Sequence, residues 1–536
     1  VAPAVIGFDV GPCELGAARA RHALAEVAVM AGVPAARDDV GLRVAYGART
    51  RDDAAVVIPH ETAHVPRDVE PDGWGADGGD VPLLFAAGVP EGDVVAASRE
   101  GHPLLVRAGR QVYLGFDLVR AADYYLNARG EVGWPRDAAE RPLLADGPAW
   151  RRKTVGVAVV NRYAALFARA LALAADAADV PLLRFKYWPG GAPFALALSH
   201  DVDRLRAPGR RETLRAMLRG GRRGPRAGYT LSHLLAGAVT FKPWPAIRAA
   251  EEVAGGVSTF FVGAVRRGPY DYTYDLAAAA PVVAEVAAAG REVALHASYY
   301  AADAASLRQE RDALAAVLGA DVAGVRGHYL RLAAEPGWSA VGDAAFGYDA
   351  SFGFAGDAGW RGGTALPYRP FAAADDGPYG FTLVPLAVMD GTLFQHRGLD
   401  AGAAFALARR VVDEAAAVGG VATLNWHYRA FSGGAFPAWG ETFRRLVEHA
   451  VAAGGFPLTH AAVAARYRLN AALAVRRGAG AYTYELMSPP GAPADVVWEV
   501  PAGWRLAGGD VRAVTPRSFV APGGGRTARV SFARER

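Results

Sequence analysis

Between Phe194 and about Leu473 the sequence alternates between short apolar runs and longer helical patterns, and few folds accommodate such a stretch. Strands are expected at 194–199, 257–263, 292–295, 322–326, 346–350, 382–389 and 421–426. Helices are expected at 244–254, 275–289, 302–318, 333–344, 399–418 and 438–453. Strands in tandem with helical connections imply a parallel sheet, and repeated right-handed crossovers close it into a barrel. An open doubly wound sheet is the alternative, but no Gly-x-Gly-x-x-Gly follows any of these strands.

The first of these strands runs into Ser199, His200, Asp201 and Asp203, side chains that no hydrophobic core would take unpaired. Asp201 and Asp203 are two apart, so in an extended chain both carboxylates point to the same side. They repel each other unless a cation lies between them or they divide acid and base roles. A solvated strand end with a helix-capping Asp is the plainer reading, and it weakens because the pattern recurs. His296 and Ser298 follow the third strand, Arg326, His328 and Tyr329 the fourth, and Asp349 and Ser351 the fifth. Asp390 follows the sixth, and Trp426 and His427 the seventh. Each sits at or just past the C-terminal end of its strand, the face on which such barrels build active sites.

On either side of this stretch the pattern changes. Residues 1–185 read as a separate α/β domain, with helices at 18–31, 123–127 and 159–178, strands at 41–46 and 54–59, and a hairpin around Ala108-Gly109. Residues 186–474 form the barrel, and residues 475–536 a small all-β appendage with strands at 481–486, 496–500, 511–515 and 527–532. The fold class is therefore α/β: a (β/α)7 barrel with an N-terminal α/β domain and a C-terminal β-rich appendage.

Composition excludes several functions. The 536 residues are 52 % hydrophobic and 21 % charged, which argues for a large core rather than disorder. Cys13 is the only cysteine, so neither an intramolecular disulfide nor a thiolate metal cage is available. The net charge of +4 is too small for the pI of 9.1 to argue for nucleic acid. Arg204 to Arg226 holds nine arginines, a stripe that can hold an anionic polymer or a membrane surface but is more often a solvated helix and loop, and no interleaved aromatics support stacking on nucleic acid. The 163–183 stretch contains Arg169, Asp176 and Asp179 and reads as an amphipathic or buried helix, so no transmembrane segment is expected. The first residues lack a basic n-region, and the expected location is the cytoplasm. His60-Glu-Thr-Ala-His64 has the spacing of a zinc-protease motif, but Pro59 and Pro66 leave no room for the helix it needs.

Two Asp and one or two His without thiolates suit zinc or a similar divalent ion with a position open for water. Such an ion lowers the pKa of water to about 7 and polarises a carbonyl, which serves amide or ester hydrolysis. A second carboxylate can take the water's proton, and a His on the opposite wall can protonate the leaving amine.

Ser-His-Asp-Val-Asp203, Leu-His-Ala-Ser-Tyr-Tyr300, Val-Arg-Gly-His-Tyr329, Tyr-Asp-Ala-Ser351 and Leu-Asn-Trp-His427 come in a telling order. Their succession resembles the five motifs of the polysaccharide deacetylases, the NodB-type domain of carbohydrate esterases, over about residues 190–460. The first motif is specific, and the others are recognisable mainly by order and spacing. The chain is similar to a bacterial branch with an N-terminal α/β domain. The resemblance implies a distorted (β/α)7 barrel and metal-dependent removal of acetyl or other acyl groups from N-acetylated sugars of a polysaccharide. It makes Asp201 the general base, His427 the general acid, Arg326 the residue that orients Asp201, and Tyr329 the donor of a backbone N–H to the oxyanion. Asp203 and His296 become ligands of a divalent metal, zinc by expectation, and Trp426, Ser298 and Asp349 become substrate contacts. The family's second His, four residues after the first, is Tyr300 here. His328, where the family commonly has Pro, replaces it as the third ligand. The alternative is a catalytically degenerate barrel that binds glycan without hydrolysing it.

Overall fold

A computed structural model of the chain describes residues 6–36, 41–47, 54–61, 72–74, 81–206, 243–432, 438–480 and 482–535. The central element is a parallel sheet of strands β1 (Phe194–Val202), β2 (Ser258–Val262), β3 (Glu292–Ala297), β4 (Gly324–Gly327), β5 (Tyr348–Asp349), β6 (Thr382–Leu383), β7 (Val388–Met389), β8 (Val421–Asn425) and β9 (Gly455–Pro457). Its order is β6-β5-β4-β3-β2-β1-β8-β7, with β9 alongside the start of β1.

The run expected as one strand at 382–389 is two. Pro385 has no N–H for a ladder, and the chain changes partners around it. Thr382 and Leu383 pair with Tyr348 and Asp349, whereas Val388 and Met389 pair with Leu424 and Asn425. Between them Thr423 Oγ1 donates to Pro385 O at 2.7 Å and accepts from Ala387 N at 2.8 Å. This broken strand bridges the two ends of the sheet and makes it a distorted barrel.

β1 is buried along its whole length, and its alternation sorts the site. Leu196, Leu198 and Val202 join the hydrophobic cluster under the outer helices, while Ala195 and Ala197 join a second cluster with Phe261 and Ala294. By parity Ser199, Asp201 and Asp203 follow Ala195 and Ala197 to the barrel interior, and His200 points outward. His200 Nε2 there lies 2.9 Å from Glu251 Oε1, and its ring packs on Phe260, Phe431 and Phe443.

Helices cover the outside at Trp244–Glu251, Leu276–Ala288, Ala304–Leu318, Gly337–Asp343, Ala401–Ala417, Trp439–Ala452 and His460–Ala472. Asp303, Asp400 and Thr459 accept from the N–H three residues on, the capping contact that starts a helix after a loop. The 333–344 helix begins later than expected, at Gly337, behind Pro336 and a left-handed Ala334. The arginine-rich segment beyond Arg206 lies outside the described residues.

Ahead of the barrel, Ile6–Val10, Leu42–Tyr46, Val56–Ile58 and Gln111–Leu114 run parallel, and the hairpin Pro103–Ala108/Gln111–Leu114 forms around Gly109 at φ 63° as expected. Helices Ala17–Met30 and Val159–Ala177 pack on this sheet, and their apolar faces share one core with the barrel helices. After the barrel two sheets form the all-β appendage, antiparallel except where Ala35–Ala36 joins one of them in parallel. Each borrows an edge strand from earlier in the chain: Arg184–Phe185 pairs with Trp498 and Glu499, and Ala35–Ala36 with Ala474 and Val475. Among the described residues no helix is long and apolar enough to cross a membrane.

Candidate active site

The C-terminal ends of the barrel strands bring seven of the expected residues to one mouth. Asp201 leaves β1 pointing inward; its Oδ1 accepts from Arg326 Nη1 at 2.7 Å and its Oδ2 from Asn425 Nδ2 at 2.8 Å. Arg326 is fully buried on β4, with its guanidinium 3.9 Å from the Phe261 ring centroid and Nε donating to Ala350 O. Burial alone would raise the Asp201 carboxyl, but Arg326, then His296 and His427, hold it down at about 2. Asp201 is therefore ionised across the physiological range.

Asp203 sits among three imidazoles and one guanidinium. Its Oδ1 lies 3.2 Å from His296 Nε2 and 3.6 Å from His328 Nε2. Its Oδ2 lies 3.4 Å from His427 Nε2 and 3.5 Å from Arg429 Nη1. Burial opposes its charge, yet His427, His296 and His328 together keep it well below the usual carboxylate range. The ligand atoms of Asp203, His296 and His328 all lie within 4.8 Å of one another.

These three fit a divalent cation. His296 Nδ1 is 3.0 Å from Arg326 O, and a carbonyl only accepts, so that nitrogen carries the ring's proton. In the neutral ring Nε2 then turns a lone pair toward Asp203 Oδ1, a buried oxygen without a hydrogen-bond partner among the described residues. His328 is neutral at pH 7, because burial lowers its pKa to about 4, and its Nδ1 is also buried without a partner. One carboxylate and two imidazoles is a donor set that zinc takes, with a position left for water. Tyr300, four residues after His296, packs its ring beside Tyr270 and Tyr299 and is no member of this cluster.

His427 stands on the opposite side of Asp203. Its Nδ1 lies 2.5 Å from Asp390 Oδ1, and its backbone N–H donates to Asp390 Oδ2 at 3.0 Å. Burial works against a charged ring here, but Asp390 and then Asp203 outweigh it and raise the pKa to about 9. Tyr329 follows His328 at the rim with φ 57°, left-handed backbone that a bulky residue rarely adopts.

The three expected substrate contacts are corrected by the structure. On β5, Tyr348 and Ala350 face the interior cluster, so parity turns Asp349 away; it is fully buried, accepts from Ser351 N and Oγ, and burial raises its carboxyl to about 7. Trp426 likewise lies on the outward parity of β8, fully buried, with Nε1 donating to Trp439 O at 2.9 Å. Ser298 is buried and donates to Asp271 Oδ1 at 2.7 Å. None of the three side chains has surface to offer a ligand.

The partners Asn425, Asp390 and Arg429 received no role from the sequence. Asn425 carries a signal, being two residues before His427 on the same side of the strand; Asp390 follows its strand at the rim, but nothing near it in sequence names its partner. At the start of the zinc-protease spacing, His60 and Glu61 lie outside any helix or strand; His60 Nδ1 lies 3.2 Å from Asp117 Oδ2 and Nε2 accepts from Glu14 N, so both nitrogens are used. His64 lies outside the described residues.

No protein-family profile matches the sequence, and no curated protein matches it. Several solved structures are similar to about half of this chain, each at low identity. One is a putative polysaccharide deacetylase from Mycobacterium smegmatis, 21 % identical over 52 % of this chain and 92 % of that one, with a TM-score of 0.37. Another is Puue allantoinase, 17 % identical over 53 % of this chain and 93 % of the other, with a TM-score of 0.36. A third is the family 4 carbohydrate esterase from Streptomyces lividans in complex with acetate, 13 % identical over 50 % and 92 %, with a TM-score of 0.25.

Proposed function

We propose that the protein is a metal-dependent hydrolase that removes acetyl or other acyl groups from N-acetylated sugars of a polysaccharide. The observation that carries this reading is the placement of Asp203 between a pair of imidazoles on one side and His427 on the other, with ionised Asp201 beside it. A divalent cation, zinc by its donor set, would be held by Asp203, His296 and His328 and would polarise the acyl carbonyl and acidify water.

The chain's own residues divide the proton traffic. Asp201 Oδ2, held by Asn425 and kept ionised by Arg326, is the base that takes the proton of the attacking water. His427 Nε2, charged because Asp390 holds Nδ1, is the acid that gives a proton to the departing amine. The left-handed turn at Tyr329 presents its backbone N–H as the donor to the oxyanion. The buried mouth excludes bulk water from both carboxylates, which strengthens each of these contacts.

The test is acetate release from N-acetylated oligosaccharides by purified protein, measured before and after chelation and after zinc is restored. Release that chelation abolishes and zinc restores is the expected result. Stoichiometric metal with no release from any acylated sugar would overturn the hydrolytic reading.

A further inference from the structure

Four tyrosines crowd one side of the mouth. Among the described residues, the exposed aromatic side chains are Tyr270, Tyr300, Tyr329 and Phe456, and all but Phe456 gather here, at 57 %, 38 % and 42 % exposure. Ring centroids step from His328 to Tyr329 at 4.6 Å, Tyr329 to Tyr299 at 5.7 Å, Tyr299 to Tyr300 at 5.1 Å and Tyr299 to Tyr270 at 5.1 Å. The row thus begins at a proposed metal ligand and leads outward. A single exposed ring needs no explanation, whereas a contiguous group of exposed rings beside a polar mouth marks a ligand-binding surface.

The row is built, not loose. Asp271 Oδ2 accepts from Arg267 N at 2.6 Å and Gly268 N at 3.0 Å, while its Oδ1 accepts from Ser298 Oγ and Tyr299 N, both at 2.7 Å. Glu310 ties the same two loops again, taking Ser298 N at 2.8 Å and Arg267 Nε at 3.0 Å. Gly268 lacks the Cβ that would collide with the Tyr300 ring, so that ring lies close over the backbone. Two loops from different strands are therefore locked into one rigid aromatic surface, and a ligand need not order it.

One side of the row is already covered. Arg331, paired with Glu140 at 2.8 Å, lies over the Tyr299 ring at 4.5 Å, and Arg141 lies over Tyr329 at 5.7 Å. Both Glu140 and Arg141 come from the segment ahead of the barrel. Of the exposed rings, Tyr270 and Tyr300 are the two with no guanidinium over them among the described residues.

We infer that Tyr270 and Tyr300 form a stacking platform for the sugar rings next to the one being deacylated, which makes the enzyme selective for oligosaccharide chains over single sugars. The inference rests on the acyl-sugar hydrolase reading and adds the substrate's length and the residues that measure it. The apolar C–H face of a pyranose matches an exposed phenol ring, and the ring's rigidity keeps the entropic cost of binding low. The chain leaves toward Tyr270, because the Glu140–Arg141 segment occupies the other side.

The test compares N-acetylglucosamine with its tetramer. For the unmodified protein the tetramer's KM should be at least about tenfold the lower, the scale of an aromatic stacking contact. Tyr270→Ala and Tyr300→Ala should each raise the tetramer's KM several-fold and bring the tetramer-to-monomer ratio toward one, with kcat on the tetramer changed less. Tyr300→Phe, which keeps the ring, should restore the ratio. Both side chains are exposed, so truncation leaves the core intact. A ratio unchanged in both alanine variants, or no preference for the tetramer at the outset, overturns the platform. If the unmodified protein releases no acetate at all, the hydrolase reading fails and calorimetric titration with the same tetramer decides the platform. Binding that Tyr270→Ala weakens supports it; no binding at millimolar tetramer overturns it.

Discussion

His427 Nδ1 and Asp390 Oδ1 lie 2.5 Å apart, and this contact fixes which nitrogen of His427 faces the reaction centre. Nε2 is left toward Asp203, and the ring stays charged up to about pH 9.

A pH profile follows from that contact. An acid whose pKa is raised is protonated below it and loses its proton as pH rises through it, so activity should fall on the alkaline side near pH 9. Asp390→Asn removes the larger of the two carboxylate contributions. Its alkaline limb should move down by about one unit or more, with kcat reduced, as a pH–rate profile would show. An unmoved limb would assign the titration to another group.

Asp201 and Asp203 are adjacent in space but differ in surroundings, and their variants should separate. Asp201→Asn should keep its metal and lose most turnover, because Asp201 is held by Arg326 and Asn425 rather than by the imidazoles. Asp203→Ala should lose both metal and activity. Metal content by elemental analysis checks the division, and equal metal loss in the two variants would contradict it.

The third ligand is tested by a pair of substitutions. His328→Ala should weaken metal binding by about tenfold or more, the scale on which lost ligation is felt. Tyr300→Phe should barely change it, since Tyr300 stands outside the ligand cluster. Competition with a chromophoric chelator measures both, and the reverse ranking would show that the assignment is wrong.

Stability should carry its own pH signature at Glu26. This buried carboxyl, in the helix Ala17–Met30, accepts from Tyr467 at 2.5 Å, and burial pushes it up to about 8 from an ordinary 4.5. The folded chain thus keeps a proton that the unfolded chain releases. That stabilising contribution is complete below pH 4.5 and is lost as pH rises through about 8. At about 1.4 kcal/mol per unit the loss amounts to a few kcal/mol. Glu26→Gln should remove it, so urea unfolding at pH 6 and pH 9 should show the variant losing less stability than the parent.

The sequence by itself determined the seven strand runs and the rim residues that end them, because a buried strand is a local apolar run and a polar cluster at its end is visible in the same few residues, whereas the three-residue strand Gly455–Pro457 is too short to stand out. It also carries the break at Pro385, since a missing N–H is a property of one residue, although the apolar run 382–389 taken alone implies one strand. Side-chain parity was equally legible: counting by twos from the interior residues turns Asp349 and Trp426 outward, and position at the strand end alone misplaced them. Tertiary structure decided everything that depends on distance through space. Asp390 reaches His427 from another strand, Asn425 reaches Asp201, and His328 meets Asp203 only because β4 and β1 are folded around one mouth. The borrowed edge strands Ala35–Ala36 and Arg184–Phe185 are of the same kind. A side chain's neighbours along the chain fix its strand and its face, while its partners across the barrel are set by register and closure, which no local pattern encodes.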